Sequence, residues 1–343
     1  MSKFIPRAIF PHFESIPRSY FLGHHRAGLE KMKSRISSVD LVIECRDFRA
    51  PVCSINPLFN EALGEKRRLI VYTKRDLGGD GKRENKEREK IIRDWDKTSE
   101  VLFASTHEKK SMNSIIQYLR ENSSALGGVT GTRAMVVGMP NVGKSSLINS
   151  LRNVSLKKPK AARTGAQPGV TRKIGTEIKV IEEEEGNGVY VLDTPGVFVP
   201  YMPDAESMLK LALCGSVKDT IVPPTTLADY LLYHINLTKP SVYKEYSEPT
   251  NEIMPFLEKV ATKTGRLGRG GIPDTEASAL WIIQRWRSGH LGAFILDDVR
   301  TTTMQERKDQ LEMLGGSITQ ARKAEKSARM DAIKQRSIDF TAS

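Results

Sequence analysis

Eight residues near the middle of the chain, Gly138-Met-Pro-Asn-Val-Gly-Lys144-Ser145, have the types and spacing to hold phosphate. They match G-x-x-x-x-G-K-[ST] after the apolar run "AMVVG" and before the helix-like "SSLINSLR". Glycines let backbone N–H groups turn inward as an anion nest, and a helix starting there adds the positive end of its dipole. Lys144 can reach the outer phosphates, and the Ser145 hydroxyl suits Mg²⁺. The nucleotide contacts expected here run over Asn141, Val142, Gly143, Lys144, Ser145 and Ser146. Further on, the run "VYVLD" delivers Asp193-Thr-Pro-Gly196. Asp193 at a strand end can hold Mg²⁺ through its water shell, and the Gly196 N–H can sense a terminal phosphate. Between them, in "GAQPGVTRK", Thr171 is placed to meet the same metal as a switch threonine.

A second group lies upstream. The run "LIVY" ends in Thr73-Lys74-Arg75-Asp76. The Asp76 carboxylate can accept two hydrogen bonds from guanine, which adenine cannot supply, and the stem of Lys74 can lie across a purine face. Thr73 stands where Asn would tie this loop to the phosphate loop more fully. About thirty residues later, "VLFAS" ends in Ala104-Ser105-Thr106, whose loop can offer a backbone N–H to guanine O6. The order is therefore base, base, phosphate, switch, switch. A sheet accepts that order when old termini are joined and new ones opened at an exposed loop. The chain reads as circularly permuted.

The elements that must position these residues are visible as punctuation. Short apolar runs at 41, 69, 101, 134, 177 and 189 alternate with helical stretches such as 82–95 and 113–121, which implies a doubly wound, mostly parallel α/β sheet. The glycine-rich 125–133 reads as a linker. Beyond 203 strand signals fade, and 205–219, 226–233, 251–262 and 275–288 look helical. The expected division is a basic N-terminal segment over 1–30, a nucleotide domain over 31–204, a smaller all-α domain over 205–300 and a charged tail over 301–343. Trp281 and Ile282, at helical spacing, read as core rather than as a stacking surface.

The chain has 343 residues and a formal charge of +12. That charge fits a polyanionic partner, nucleic acid or an anionic membrane surface, and equally a generally basic solvated surface. Between 151 and 176 there are seven basic residues (Arg152, Lys157, Lys158, Lys160, Arg163, Arg172, Lys173) and no acid. This stretch surrounds Thr171, so a phosphate-rich partner touching it would feel the nucleotide. No apolar stretch is long enough to span a bilayer. Cys45, Cys53 and Cys214 have no metal-ligand spacing and read as reduced thiols. The basic, acid-poor start resembles a mitochondrial targeting segment, or a basic arm on a nucleic-acid binder.

With these motifs in this order, the sequence resembles the circularly permuted GTPases of the YlqF/RbgA type, which assemble the large ribosomal subunit, and in particular their mitochondrial members. The likeness spans roughly 21–292. It includes "YFLGHHRAGLEKM", "CRDFRAPVCSINP" and "GRGGIPDTEASALWIIQRWRSGHLG", with Leu22, Phe48 and Thr73 departing from the family pattern. The resemblance implies GTP and GDP as ligands with Mg²⁺, and K⁺ held beside the phosphates by Asn141. It also implies His24 acting on the attacking water, alongside Lys144 and Thr171. The implied partners are the mitochondrial large ribosomal subunit and its rRNA, with a peripheral seat on the matrix face of the inner membrane and a monomeric chain. Val197, Phe198 and Val199 stand where many GTPases carry a water-orienting Gln, so slow intrinsic hydrolysis raised by the ribosome is expected. Three rival readings remain at this point. One is a nucleotide-gated RNA-binding scaffold with negligible turnover, and another is a cytosolic or bacterial-type assembly GTPase. The third is an ATP-dependent kinase, against which Lys74 and Asp76 argue.

Overall fold

The computed structural model describes residues 4–11, 16–21, 23–79, 81–126, 131–165, 168–171, 174–182, 188–199, 202 and 204–313. Leu22, Arg172, Lys173, part of the 125–133 linker and the tail beyond 313 lie outside the described residues.

Six strands form one sheet: β1 (Leu41–Asp47), β2 (Arg68–Thr73), β3 (Glu100–Phe103), β4 (Thr132–Gly138), β5 (Ile178–Glu182) and β6 (Gly188–Asp193). Their order across the sheet is β3-β2-β1-β4-β6-β5. Every pairing is parallel except that of edge strand β5 with β6. Each of the six apolar runs in the sequence becomes one of these strands.

All seven residues of β1 are buried, as expected where helices cover both faces. Alternation then divides the side chains. Ile43, Cys45, Leu69, Val71, Ala134, Val136 and Val191 face α4 (Lys109–Leu126) and α5 (Lys144–Leu156) within the largest core cluster. Val42, Met135, Val137 and Leu192 face α1 (Gly23–Arg35) and α2 (Leu58–Leu63). Ile70, Tyr72 and Phe103 pack with Ile92 of α3 (Lys82–Asp94). Each fully buried aliphatic or aromatic side chain contributes roughly 1.5–3 kcal/mol relative to exposure.

The largest cluster continues into α6 (Ala205–Leu213), α7 (Pro224–Thr238), α8 (Ile253–Thr264) and α9 (Thr275–Arg287); α10 (Thr303–Met313) follows. Asp204 and Asp274 start α6 and α9 by accepting N–H bonds from Ser207 and Ala277 at 2.6 and 2.8 Å. Helix α6 stops six residues short of the expected 219, because Gly215 turns left-handed at φ 81° and closes a Schellman-type end. The Gly215 and Ser216 N–H groups bond Ala212 O and Leu211 O.

Two features depart from the sequence reading. Residues 23–35 form a helix against the sheet, although 23–30 fall within the basic N-terminal segment expected over 1–30. The segment before them also packs. Arg7 pairs with Asp229 of α7 at 2.5 Å, and the Phe10 ring meets Tyr230 edge-on at 5.0 Å. Trp286 is fully buried and Trp281 partly so, its ring 4.4 Å from the Arg266 guanidinium and 5.4 Å from that of Arg285.

Candidate functional site

The site opens at the carboxyl ends of β1 and β4, where the strand order runs outward in both directions, the usual place for a ligand in such a sheet. The loop from Gly138 to Gly143 leaves β4 and enters α5. Gly138 has φ 151°, and a Cβ there would lie 2.4 Å from Cys45 O, so only glycine fits between the strands. Asn141 takes φ 56° and Gly143 φ 95°, which turns the backbone inward. Lys144 is 6% exposed, and its ammonium donates to Met139 O at 2.7 Å and Gly138 O at 3.2 Å. Burial lowers its pKa.

The three metal candidates converge. Ser145 Oγ donates to Asp193 Oδ2 at 2.7 Å, and Thr171 Oγ1 lies 3.3 Å from Ser145 Oγ and 3.4 Å from Asp193 Oδ2. Asp193 Oδ1 is buried without a hydrogen-bond partner among the described residues. Burial raises the Asp193 carboxyl pKa, against the hydrogen bond from Ser145. A cation there would satisfy the orphaned oxygen and offset that cost. No cluster of three or more His, Cys, Asp or Glu side chains occurs among the described residues. One carboxylate and two hydroxyls, completed by water and phosphate oxygens, suit a hard ion such as Mg²⁺. Gly196 presses on the phosphate loop so closely that a Cβ would lie 2.5 Å from Pro140 Cα.

The base end meets this loop directly. Thr73 Oγ1 bonds Val142 O and lies 3.2 Å from Arg46 O. The hydroxyl thus makes the tie between base loop and phosphate loop that Asn was expected to make more fully. Lys74 sits at φ 57°, and its ammonium reaches Asn141 O at 2.6 Å and Asp47 Oδ2 at 2.8 Å. The same Asp47 accepts two bonds from the Arg49 guanidinium, at 2.8 and 3.0 Å, and one from its backbone N–H at 3.0 Å. Burial alone would raise the Asp47 carboxyl, but Arg49 and Lys74 hold it well below the usual carboxylate range. Asp76 is exposed, two residues from this bridge. Arg75 N–H bonds Ala104 O at 3.1 Å, which brings the β3 loop alongside. In that loop Ser105 N–H donates to Ser111 Oγ and His107 N–H to Ser105 Oγ. That leaves the Thr106 N–H as the donor of the three not used by the turn itself.

Asn141 donates from Nδ2 to Cys214 O at 3.4 Å, so its Oδ1 is the atom that would face a cation. Cys214 O also accepts from Arg49 at 3.2 Å, and Arg287 bonds Ala212 O and Leu213 O. The carboxyl end of α6 is therefore docked on the phosphate loop. His24 is exposed and lines a cavity of about 270 Å³ with Tyr20, Thr171, Pro195, Gly196 and Lys218.

Sequence reasoning missed three residues. Asp47 was quoted within a motif but given no role. Asn56, whose Nδ2 donates to Val197 O at 2.8 Å, was treated likewise. His25, 2% exposed, sets Nδ1 3.1 Å from Gly196 O and 3.3 Å from Phe198 N. The adjacent pair of histidines was the available signal, and only its first member drew notice.

A parallel sheet in this order, with the base loop bonded to a phosphate loop that follows it in the chain, defines a circularly permuted P-loop GTPase. A family model described as "50S ribosome-binding GTPase" matches residues 133–263. The Schizosaccharomyces pombe protein named Mitochondrial GTPase 1 is 37% identical over 316 residues, covering 86% of this chain and 94% of that one. The Bos taurus protein named Mitochondrial ribosome-associated GTPase 1 is 38% identical over 299 residues, 81% of this chain and 88% of the relative. The GNP-bound YlqF from T. maritima shares the fold, with TM-score 0.53 and 22% identity, over 79% of this chain and 98% of that one. The chain belongs to the mitochondrial GTPase 1 family, and it is a mitochondrial GTPase that takes GTP, GDP and Mg²⁺.

Proposed function

We propose that the chain is an assembly factor for the mitochondrial large ribosomal subunit, which grips rRNA according to its nucleotide state. The observation that carries the switch is the double contact of Thr73 and Lys74 with the carbonyls of Val142 and Asn141. It joins base reader and phosphate loop in one site. In this reading Asp76 recognises guanine N1–H and N2–H₂, and the Thr106 N–H meets O6 beside Ser105. Lys74 covers the purine, and residues 141–146 with Gly196 hold the phosphates. Ser145, Thr171 and Asp193 hold Mg²⁺, which supplies charge stabilisation when bound. Lys144 stabilises charge that develops on the transferring phosphate. Asn141 Oδ1 holds K⁺, and His24 orders the attacking water.

The nucleotide domain over 31–204 and the helical domain over 205–300 are joined through the D-T-P-G segment and through the seat of α6 on Asn141. That seat supports transmission of nucleotide state to an RNA-binding helical domain. Lys157, Lys158, Lys160 and Arg163 are exposed in the stretch between α5 and Thr171, and Arg163 shares a cavity lining with Thr171, whereas Arg152 is committed to Pro159 O and Lys179 O. The names of the relatives support the ribosomal partner, and a peripheral inner-membrane seat and a monomeric state complete the proposal. Co-sedimentation with mitochondrial large subunits tests it. More chain should travel with the subunit in a GTP analogue than in GDP, and equal amounts in both states would contradict it.

One observation favours a second reading, an RNA-binding scaffold that barely turns over. Val197, Phe198 and Val199 are all buried, so nothing in that stretch can polarise water. Hydrolysis rates in K⁺ buffer, with and without large subunits, separate the two. Stimulation by the subunit supports the enzyme, and a flat, negligible rate supports the scaffold.

A further inference from the structure

The D-T-P-G turn is held from a part of the chain that precedes the base reader. Asn56 fixes Val197 O, and the Val197 N–H donates to Gly138 O at 3.2 Å. His25, in the first turn of α1, addresses the groups on either side: the Gly196 carbonyl and the Phe198 N–H. The ring is packed by Phe21, stacked at 5.8 Å, and by Tyr20, edge-on at 5.8 Å. It also lines the cavity that reaches Thr171 and Gly196.

A neutral imidazole has one proton and two nitrogens. With the proton on Nδ1, His25 donates to Gly196 O and cannot accept from Phe198. With the proton on Nε2, Nδ1 accepts the Phe198 N–H and Gly196 O loses its donor. Nε2 is itself buried without a partner among the described residues, so no further bond pins the tautomer. Burial lowers the imidazole pKa to about 4, which keeps the ring neutral at physiological pH.

We infer that His25 is a positioning residue of the switch: its Nδ1 exchanges between Gly196 O and Phe198 N–H, and the exchange sets whether the Gly196 N–H faces the terminal phosphate. This rests on the reading of 193–196 as the phosphate-sensing turn. A γ-phosphate that recruits the Gly196 N–H tilts the adjoining peptide, and His25 supplies the alternative bond that lets the turn settle in either position. His24, one residue earlier and exposed, is not required for this role.

Three variants of the full chain test it by fluorescent-nucleotide affinity and single-turnover hydrolysis. His25→Phe keeps the aromatic packing and removes both bonds. The ratio of GTP-analogue to GDP affinity and the single-turnover rate should each fall about 10-fold, the worth of one buried hydrogen bond, with GDP affinity within about twofold of the parent. His25→Asn puts an amide where Nδ1 was and should restore both to within about threefold. Asp76→Asn, which tests base reading, should leave the His25 effect in place, so failure of guanine recognition and failure of the His25 role are read separately. An unchanged affinity ratio in His25→Phe overturns the inference. So does an equal loss of GDP and GTP-analogue binding that Asn does not rescue, since that is a packing defect. In the parent chain, the ¹⁵N signals of the His25 ring should differ between GDP and GTP-analogue states. Identical signals overturn the inference even if no variant folds.

Discussion

The two ends of the nucleotide site are built on different physics. The phosphate end is mostly backbone: three left-handed or extended residues, helix α5 and glycines that admit no Cβ, with Lys144 buried on its own loop's carbonyls. The base end is side-chain electrostatics, in which Asp47 carries Arg49 and Lys74 together and Lys74 reaches across to Asn141. Steric demand makes the first end a motif that can be recognised from eight residues. The second end depends on a charge from another strand, so its key member cannot be found from the tetrapeptide that names it. The comparison also separates stability from function. Lys144 is buried at a cost that its proposed role toward the ligand explains, whereas Asp47 already holds Arg49 and Lys74 in the fold.

The largest expected effect breaks the base end. Asp47→Ala leaves Arg49, 1% exposed at its side chain, and Lys74 without their carboxylate, and stability should fall by about 3–5 kcal/mol. Denaturant unfolding measures this, and a loss under about 1 kcal/mol would place the account in error. At the phosphate end the outcome should invert. Lys144→Met should lose on the order of 10²-fold in GTP affinity with the unfolding midpoint little changed, because relief from burying an ammonium offsets the bonds lost at Gly138 O and Met139 O. Thr73→Val cuts the link between the ends and leaves Val142 O short of its donor, so GDP affinity should fall about 5- to 10-fold. Calorimetry on the two variants checks both.

The smallest effect concerns pH. His25 and His234 both have pKa values lowered by burial from 6.5 to about 4, His25 with help from His24 and Lys144, His234 with help from Lys210 and against the opposing pull of Asp297. The unfolded chain therefore binds protons first as pH falls. Stability contributed by their neutral forms should be complete above pH 6.5 and lost progressively between 6.5 and about 4. Melting temperatures across that window test this, and His234→Phe should flatten part of the slope.

Much of this was legible in the sequence because the physics is local. Six apolar runs bounded by polar turns gave six strands, and the phosphate loop announced itself by glycines whose Cβ atoms would collide. What was not legible is long-range. Gly215 ends α6 by turning left-handed, and Arg49, Arg287 and Asn141 then gather on the carboxyl-end carbonyls, contacts with no sequence period. His25 was overlooked beside His24 because which of two adjacent histidines turns inward depends on the tilt of α1. The basic opening residues resemble a targeting segment or a nucleic-acid-binding arm, and neither resemblance registers that Arg7 finds Asp229 at a separation of 222 positions. Charge composition cannot register a pairing over that distance.

The most direct test of the central claim, that Asp76 and the phosphate loop read one guanine nucleotide, is competition between GDP and XDP on the parent chain and Asp76→Asn. Xanthine carries a 2-oxo acceptor where guanine carries a 2-amino donor. The parent should prefer GDP, and the variant should move the GDP-to-XDP affinity ratio toward XDP by on the order of 10²-fold or more. A variant that keeps the parent's preference for GDP would contradict the account.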